Sequence, residues 1–148
     1  MLLKLTFVML SAVIMTTALY HAREVRAAQD SRTCSDASLR GTYVFLRTGV
    51  NHAAGGPIAE LGLDVINGDG ARGPTRFTAS QNGVIYDWTN VPPYTGSYKI
   101  YPDCTGSFFD GNAKSNIVVL DGGKRFLLLT VGSGKIITGE GTRIDEQD

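Results

Sequence analysis

Between Gly41 and Arg143 the chain keeps no structural period for long. Short runs rich in β-branched and aromatic residues are cut by Gly, Asn and Pro clusters roughly every 8 to 14 residues. No run in this region has the three-and-four apolar spacing of a helix. Punctuation of this kind leaves few architectures: an antiparallel sandwich, or a barrel whose strands are joined by tight turns. The runs amount to eight strands, or nine if the last ribbon, 135–143, divides. Asn67-Gly-Asp-Gly70 is the strongest hairpin signal, because Asn and Gly tolerate the positive φ that tight hairpins need. Ser35-Asp-Ala-Ser-Leu39 suits a single helical turn capped by Ser35. Pro74 predicts an irregular or edge start to the third strand.

The first residues stand apart from this pattern. A short basic start ending at Lys4 leads into an apolar run over residues 5–20. Val25-Arg26-Ala27 then places small residues at the −3 and −1 positions of a cleavage after Ala27. This is the layout of a secretory signal peptide, 1–27. The run of about 16 residues is short for a membrane span, which needs about 20. The alternative is an uncleaved anchor. The expected organisation is signal peptide 1–27, barrel domain 28–144 and disordered tail 145–148, with a secreted or periplasmic product.

Removing Lys4, Arg23, Arg26 and Glu24 leaves 11 basic and 13 acidic residues, a net charge of about −2. Such a chain has no electrostatic footprint for nucleic acid, and no charge run suited to a membrane surface. Both cysteines, Cys34 and Cys104, lie after the leader. In an oxidising compartment an isolated pair is most simply a disulfide. Two buried thiols are the alternative.

Catalytic possibilities narrow quickly. Past the leader, His52 is the one histidine, in a glycine-rich loop. A Ser-His-Asp or Cys-His mechanism needs a base beside the nucleophile, and a His-based metal site needs more nitrogens. Neither is expected, and no cofactor is. Gly132-Ser-Gly-Lys135 is close to a phosphate loop, but Leu129 stands where Gly is needed and Ile136 where Ser or Thr is needed. Asn67-Gly-Asp-Gly70 lacks the alternate oxygen ligands and closing Glu of a calcium loop.

Four pieces, in order, carry a resemblance: Cys34-Ser-Asp-Ala-Ser-Leu-Arg-Gly-Thr-Tyr43, Leu61-Gly-Leu-Asp-Val-Ile-Asn-Gly-Asp-Gly70, Gly96-Ser-Tyr-Lys-Ile-Tyr-Pro-Asp-Cys-Thr-Gly106 and Gly139-Glu-Gly-Thr-Arg143. Together the chain resembles small exported bacterial proteins with an allene oxide cyclase barrel-like domain. Asn67 departs from the acid usual at that turn, which removes one carboxylate. The resemblance implies an all-β fold: a single eight-stranded antiparallel β-barrel, calycin-like, with a ligand-sized interior.

Candidate site residues follow from strand parity. Glu60 and Asp64 share a face with Gly62 between them, leaving open space. If that face points inward, the two carboxylates are catalytic candidates for proton transfer or carbonyl polarisation. Simple alternation favours the other choice, with Leu61, Leu63 and Val65 in the core and both acids in water. Glu140 poses the same question. Tyr43 and Phe45 share a face, as do Tyr86 and Trp88, and Tyr98 sits with Ile100. Rings on several strands either fill a small barrel or wall a pocket. Arg47, beyond Phe45, is placed to meet an acidic ligand group at the mouth. The ligand-binding candidates are therefore Tyr43, Phe45, Arg47, Tyr86, Trp88 and Tyr98.

The expected function is binding of an apolar or aromatic small molecule inside an exported barrel. The alternatives are a cyclase or isomerase that holds a flexible substrate in a reactive fold, and a structural protein with a filled barrel. Phe126-Leu-Leu-Leu-Thr-Val131 is apolar on both faces. Something must cover its outer face, either the N-terminal segment or another subunit, and a homo-oligomer contact through 126–131 is favoured.

Overall fold

A computed structural model describes residues 33–145, apart from 112 and 133. The predicted leader lies outside the described residues. Among the described residues there are nine strands: β1 (Arg40–Asn51), β2 (Gly56–Asn67), β3 (Ala71–Gln81), β4 (Val84–Tyr86), β5 (Tyr94–Ile100), β6 (Thr105–Asp110), β7 (Ala113–Leu120), β8 (Arg125–Thr130) and β9 (Lys135–Arg143). Every pairing is antiparallel. Eight strands close into a barrel in the order β1-β2-β3-β5-β6-β7-β8-β9, with β9 returning to β1. The all-β barrel fold is therefore as expected. The ninth strand is β4, outside the ring, and the last ribbon does not divide.

Two boundaries differ from expectation for local reasons. The sequence reads residues 49–57 as a glycine-rich loop, yet most of that stretch is strand. β1 runs on to Asn51, and Gly49 pairs with both Ile58 and Ile137. A side chain there would collide with the backbone of β9, only 1.9 Å from the Ile136 carbonyl oxygen. Glycine thus allows two strands to approach closely; it does not mark a loop. The run Val84-Ile-Tyr-Asp-Trp-Thr89 reads as one strand in the sequence, but the strand stops at Tyr86. Asp87 accepts hydrogen bonds from the Thr89 N–H at 2.9 Å and from its hydroxyl at 2.8 Å, folding the chain into a turn.

Half the barrel is filled. Tyr43, Phe126, Phe108 and Tyr98 form a chain of rings, with centroid separations of 5.4, 5.1 and 6.1 Å. Leu39, Ile66, Ile100, Ile117 and Leu128 pack around them. Burying each such side chain contributes roughly 1.5–3 kcal/mol. The rings fit because glycines face them across the strands: Phe45 lies opposite Gly62 and Gly141, and Phe126 opposite Gly141. A Cβ on Gly141 would lie 2.3 Å from the Phe126 ring. The space expected beside Gly62 is thus occupied by Phe45.

The N-terminal segment closes this end. Its short turn at Asp36–Ser38 is the one predicted. The Asp36 carbonyl accepts from the Tyr98 hydroxyl at 2.8 Å. The Asp36 carboxylate accepts from the Ile100 N–H at 2.7 Å and pairs with Lys99 at 2.8 Å. Burial works against that charge, but these partners outweigh it and hold the carboxyl below its ordinary range. A disulfide joins Cys34 to Cys104, with Cα atoms 5.0 Å apart. Asp145, assigned to the tail by sequence, accepts from the Thr42 N–H at 2.6 Å.

The side-chain register of β2 corrects the simple alternation argument. Ile58, Glu60, Gly62, Asp64 and Ile66 point inward, while Leu61 and Leu63 are exposed at 51 % and 40 %. The acids, not the leucines, face the barrel interior. Hydrophobicity misleads here because inward acids find inward cations, and because the leucines lie on an apolar outer flank.

Candidate functional site

Above the filled half, the barrel is open. The cavity has a volume of about 530 Å³. This lies within the usual range for small-molecule sites. Its floor is Asp110, which tops a polar layer buried beneath. Arg72 is sealed between two carboxylates, pairing through Nε with Asp64 and through Nη1 with Asp110. Thr75 donates its hydroxyl to the other Asp64 oxygen at 2.6 Å. The guanidinium also lies over the Phe108 ring at 4.5 Å. Burial opposes its charge, but Asp64, Tyr94 and Asp110 outweigh that effect and hold its pKa above the ordinary value. A register shift in β3 between Arg72 and Thr75 lets both side chains point inward although they are three residues apart.

Strand pairing builds the walls. Arg47 on β1 faces Glu60 on β2, and their side chains form an ion pair at 2.5 Å. Across the other edge Arg47 faces Gly139, where a Cβ would lie 2.6 Å from the Arg47 Cγ. That glycine leaves room for the arginine stem, and the guanidinium lies over the Phe45 ring at 5.1 Å. Nearer the mouth, Asn51 faces Lys135. Tyr94 and Phe77 meet edge-on at 5.8 Å, adding an aromatic wall. Burial pushes the Tyr94 phenol up from its ordinary pKa, while Arg47 and Arg72 pull against it. It is therefore a neutral hydroxyl, able to donate a hydrogen bond, at physiological pH.

Two polar atoms of this wall are buried without a hydrogen-bond partner: Arg47 Nε, a donor, and Asn51 Oδ1, an acceptor. Both residues line the cavity. Buried polar groups are nearly always satisfied, so two unpaired atoms on one strand mark the place where a further partner fits.

The sequence-derived candidates divide. Arg47 and Glu60 line the cavity. Phe45 is buried beneath Arg47. Asp64 is fully buried and fixed by Arg72 and Thr75, so it is a structural acid of the buried layer. Tyr43 and Tyr98 belong to the filled core, with hydroxyls given to the Gly123 and Asp36 carbonyls. Tyr86 and Trp88 are exposed, on β4 and the turn after it. Glu140 is also exposed, outside the barrel. His52 sits exposed in the turn between β1 and β2. Among the described residues, no group of three or more His, Cys, Asp or Glu is placed to hold a metal.

Sequence reasoning missed Asn51, Arg72, Tyr94, Asp110 and Lys135. Strand parity carried the signal for two of them. Asn51 shares parity with Tyr43, Phe45 and Arg47, and Tyr94 with Gly96 and Tyr98. Arg72 was hidden by the bulge after it. Compared with protein-family models, curated proteins and solved structures, the chain matches none.

Proposed function

We propose that this protein binds a small molecule with an apolar or aromatic body and a polar end. The single observation that carries this reading is the pair of unpartnered atoms, Arg47 Nε and Asn51 Oδ1, in the wall of the 530 Å³ cavity. A ligand offering both an acceptor and a donor pairs with these two atoms. Phe77, Tyr94, Ile58 and Ile137 receive the apolar body. Arg47 and Lys135 favour an anionic or strongly accepting end.

The cyclase or isomerase reading rests on Glu60 alone of the two acids, with Tyr94 as a hydrogen-bond donor, because Asp64 has no open face. Conformational control of a flexible substrate needs no triad. Placement among the exported proteins with an allene oxide cyclase barrel-like domain is part of the same proposal, supported by the closed eight-stranded ring. Export is supported by the disulfide, and sequencing the N-terminus of secreted protein tests it through cleavage after Ala27.

Calorimetric titration with a panel of flat apolar carboxylates and their neutral isosteres tests the binding reading. Saturable 1:1 binding is expected, weakened about tenfold or more in Arg47→Met. A panel in which nothing saturates, or binding indifferent to Arg47→Met, overturns it. If a bound compound is also converted, Glu60→Gln separates the readings, abolishing turnover while leaving binding intact.

A further inference from the structure

The outside of the barrel has two unlike flanks. On β3, β5 and β6 the outward positions are mostly polar, among them Arg76, Ser97, Lys99 and Thr105, with Phe109 the one large apolar side chain exposed there. On β1, β2 and β8 they are Val44, Leu46, Leu61, Leu63, Leu127 and Leu129, continued on β7 by Val118. These seven aliphatic side chains are 39–51 % exposed. Register makes them one surface. Leu46 faces Leu61, and Val44 faces Leu63. Val118 faces Leu127. Leu46 and Leu127 flank Glu140 from either side.

We propose that this flank is the contact between two copies of the chain, related by a two-fold axis. Three observations select a second copy as its occupant. The first is area. The seven side chains present on the order of 500 Å² of apolar surface, at the upper end of what a monomer leaves open and most of the ~800 Å² per partner of a standard interface. The intervening threonines supply much of the difference.

The second is shape. Leu46 and Leu127 stand as ridges on either side of a groove of about 440 Å³ floored by Thr138 and Gly139. A second groove of about 220 Å³ lies on the far side of Leu127, against Val118 and Asn116. Ridges and grooves on one face are what a self-complementary contact requires, because a two-fold axis carries each ridge onto its partner's groove. The third is charge and sidedness. Glu140, in the middle of the face, is already paired with Arg125 at 3.3 Å, so closure buries no unpaired carboxylate there. A lipid-embedded barrel needs an apolar band all the way round, and on the β3–β5–β6 flank Arg76, Ser97, Lys99 and Thr105 interrupt it.

Sedimentation of the full chain across roughly 1–100 µM tests this, since association through an interface of this size is concentration-dependent. The expected result is a mass that rises from one to two copies. Leu127→Lys and the milder Leu46→Thr are expected to weaken association about tenfold or more while leaving the thermal midpoint of the monomer near the parent's. Ser97→Lys, on the polar flank, is expected to change nothing. A monomer throughout overturns the proposal. So does a dimer indifferent to both flank variants, or one equally sensitive to Ser97→Lys. A chain that stays monomeric but floats with phosphatidylcholine vesicles assigns the flank to lipid and likewise overturns it.

Discussion

Arg72 and Asp64 form an ion pair sealed within the barrel, their side chains 3 % and 0 % exposed. The pair sits on the boundary between the filled and open halves, with Asp110 as a third member facing the cavity. Removing one partner of a buried pair leaves an uncompensated charge, which costs about 3–5 kcal/mol. Arg72→Met strands two carboxylates and is expected to be destabilised by at least that range in urea unfolding. Asp64→Asn keeps the shape and one hydrogen-bond acceptor, so its loss is expected to be smaller. Equal losses would show that packing, not charge, governs the layer.

Gly141 and Phe126 make a second coupled pair. The nearest neighbours of a Cβ at Gly141 all belong to the Phe126 ring, the closest at 2.3 Å. Gly141→Ala is expected to cost about 1–3 kcal/mol through overpacking. Adding Phe126→Leu relieves the clash, so the double variant is expected to lose less than the sum of the singles by at least ~0.5 kcal/mol. Strict additivity in the thermodynamic cycle would remove the ring-over-glycine explanation.

The disulfide closes a separation of 70 residues and ties the Asp36–Ser38 turn to the barrel end. Loss of a bridge of this kind in a small domain costs about 2–5 kcal/mol. Cys34→Ala with Cys104→Ala is expected to lower the unfolding midpoint accordingly. Hydrogen exchange is expected to quicken first at Leu39 and Ile100, whose amides bond within or to the Asp36 turn. Unchanged exchange there would mean that the Tyr98 and Lys99 contacts hold the segment unaided.

Alkaline pH is expected to unfold the protein through its buried phenols. Burial pushes the Tyr43 hydroxyl up to about 12, against an ordinary value of 10.0. Tyr98 and Tyr94 shift in the same direction, also through burial. A raised folded-state pKa contributes stability that is complete below pH 10 and is lost as pH rises toward 12. The thermal midpoint is expected to be flat from pH 8 to about 9.5 and to fall above 10, as phenolate absorbance near 295 nm rises. Tyr43→Phe removes the hydroxyl donated to the Gly123 carbonyl, lowering stability at neutral pH while flattening this alkaline slope.

The sequence by itself determined an antiparallel fold of short strands, sandwich or barrel, because turn residues recur at strand-length intervals and those propensities are local; the barrel was implied by the resemblance alone. It also identified the two cysteines, the capped turn at Asp36 and the shared face of Glu60, Gly62 and Asp64. Which way that face points was not local information. Alternation reports a period of two but not its phase, and on β2 the outward leucines outweigh the inward acids in hydrophobicity. Only the closed structure supplied Arg47 and Arg72 as partners that make buried carboxylates stable. The division of the barrel into a packed half and an open half was likewise tertiary. It depends on glycines meeting rings across paired strands, as Gly141 meets Phe126 and Gly62 meets Phe45, while nothing comparable fills the space above Arg72.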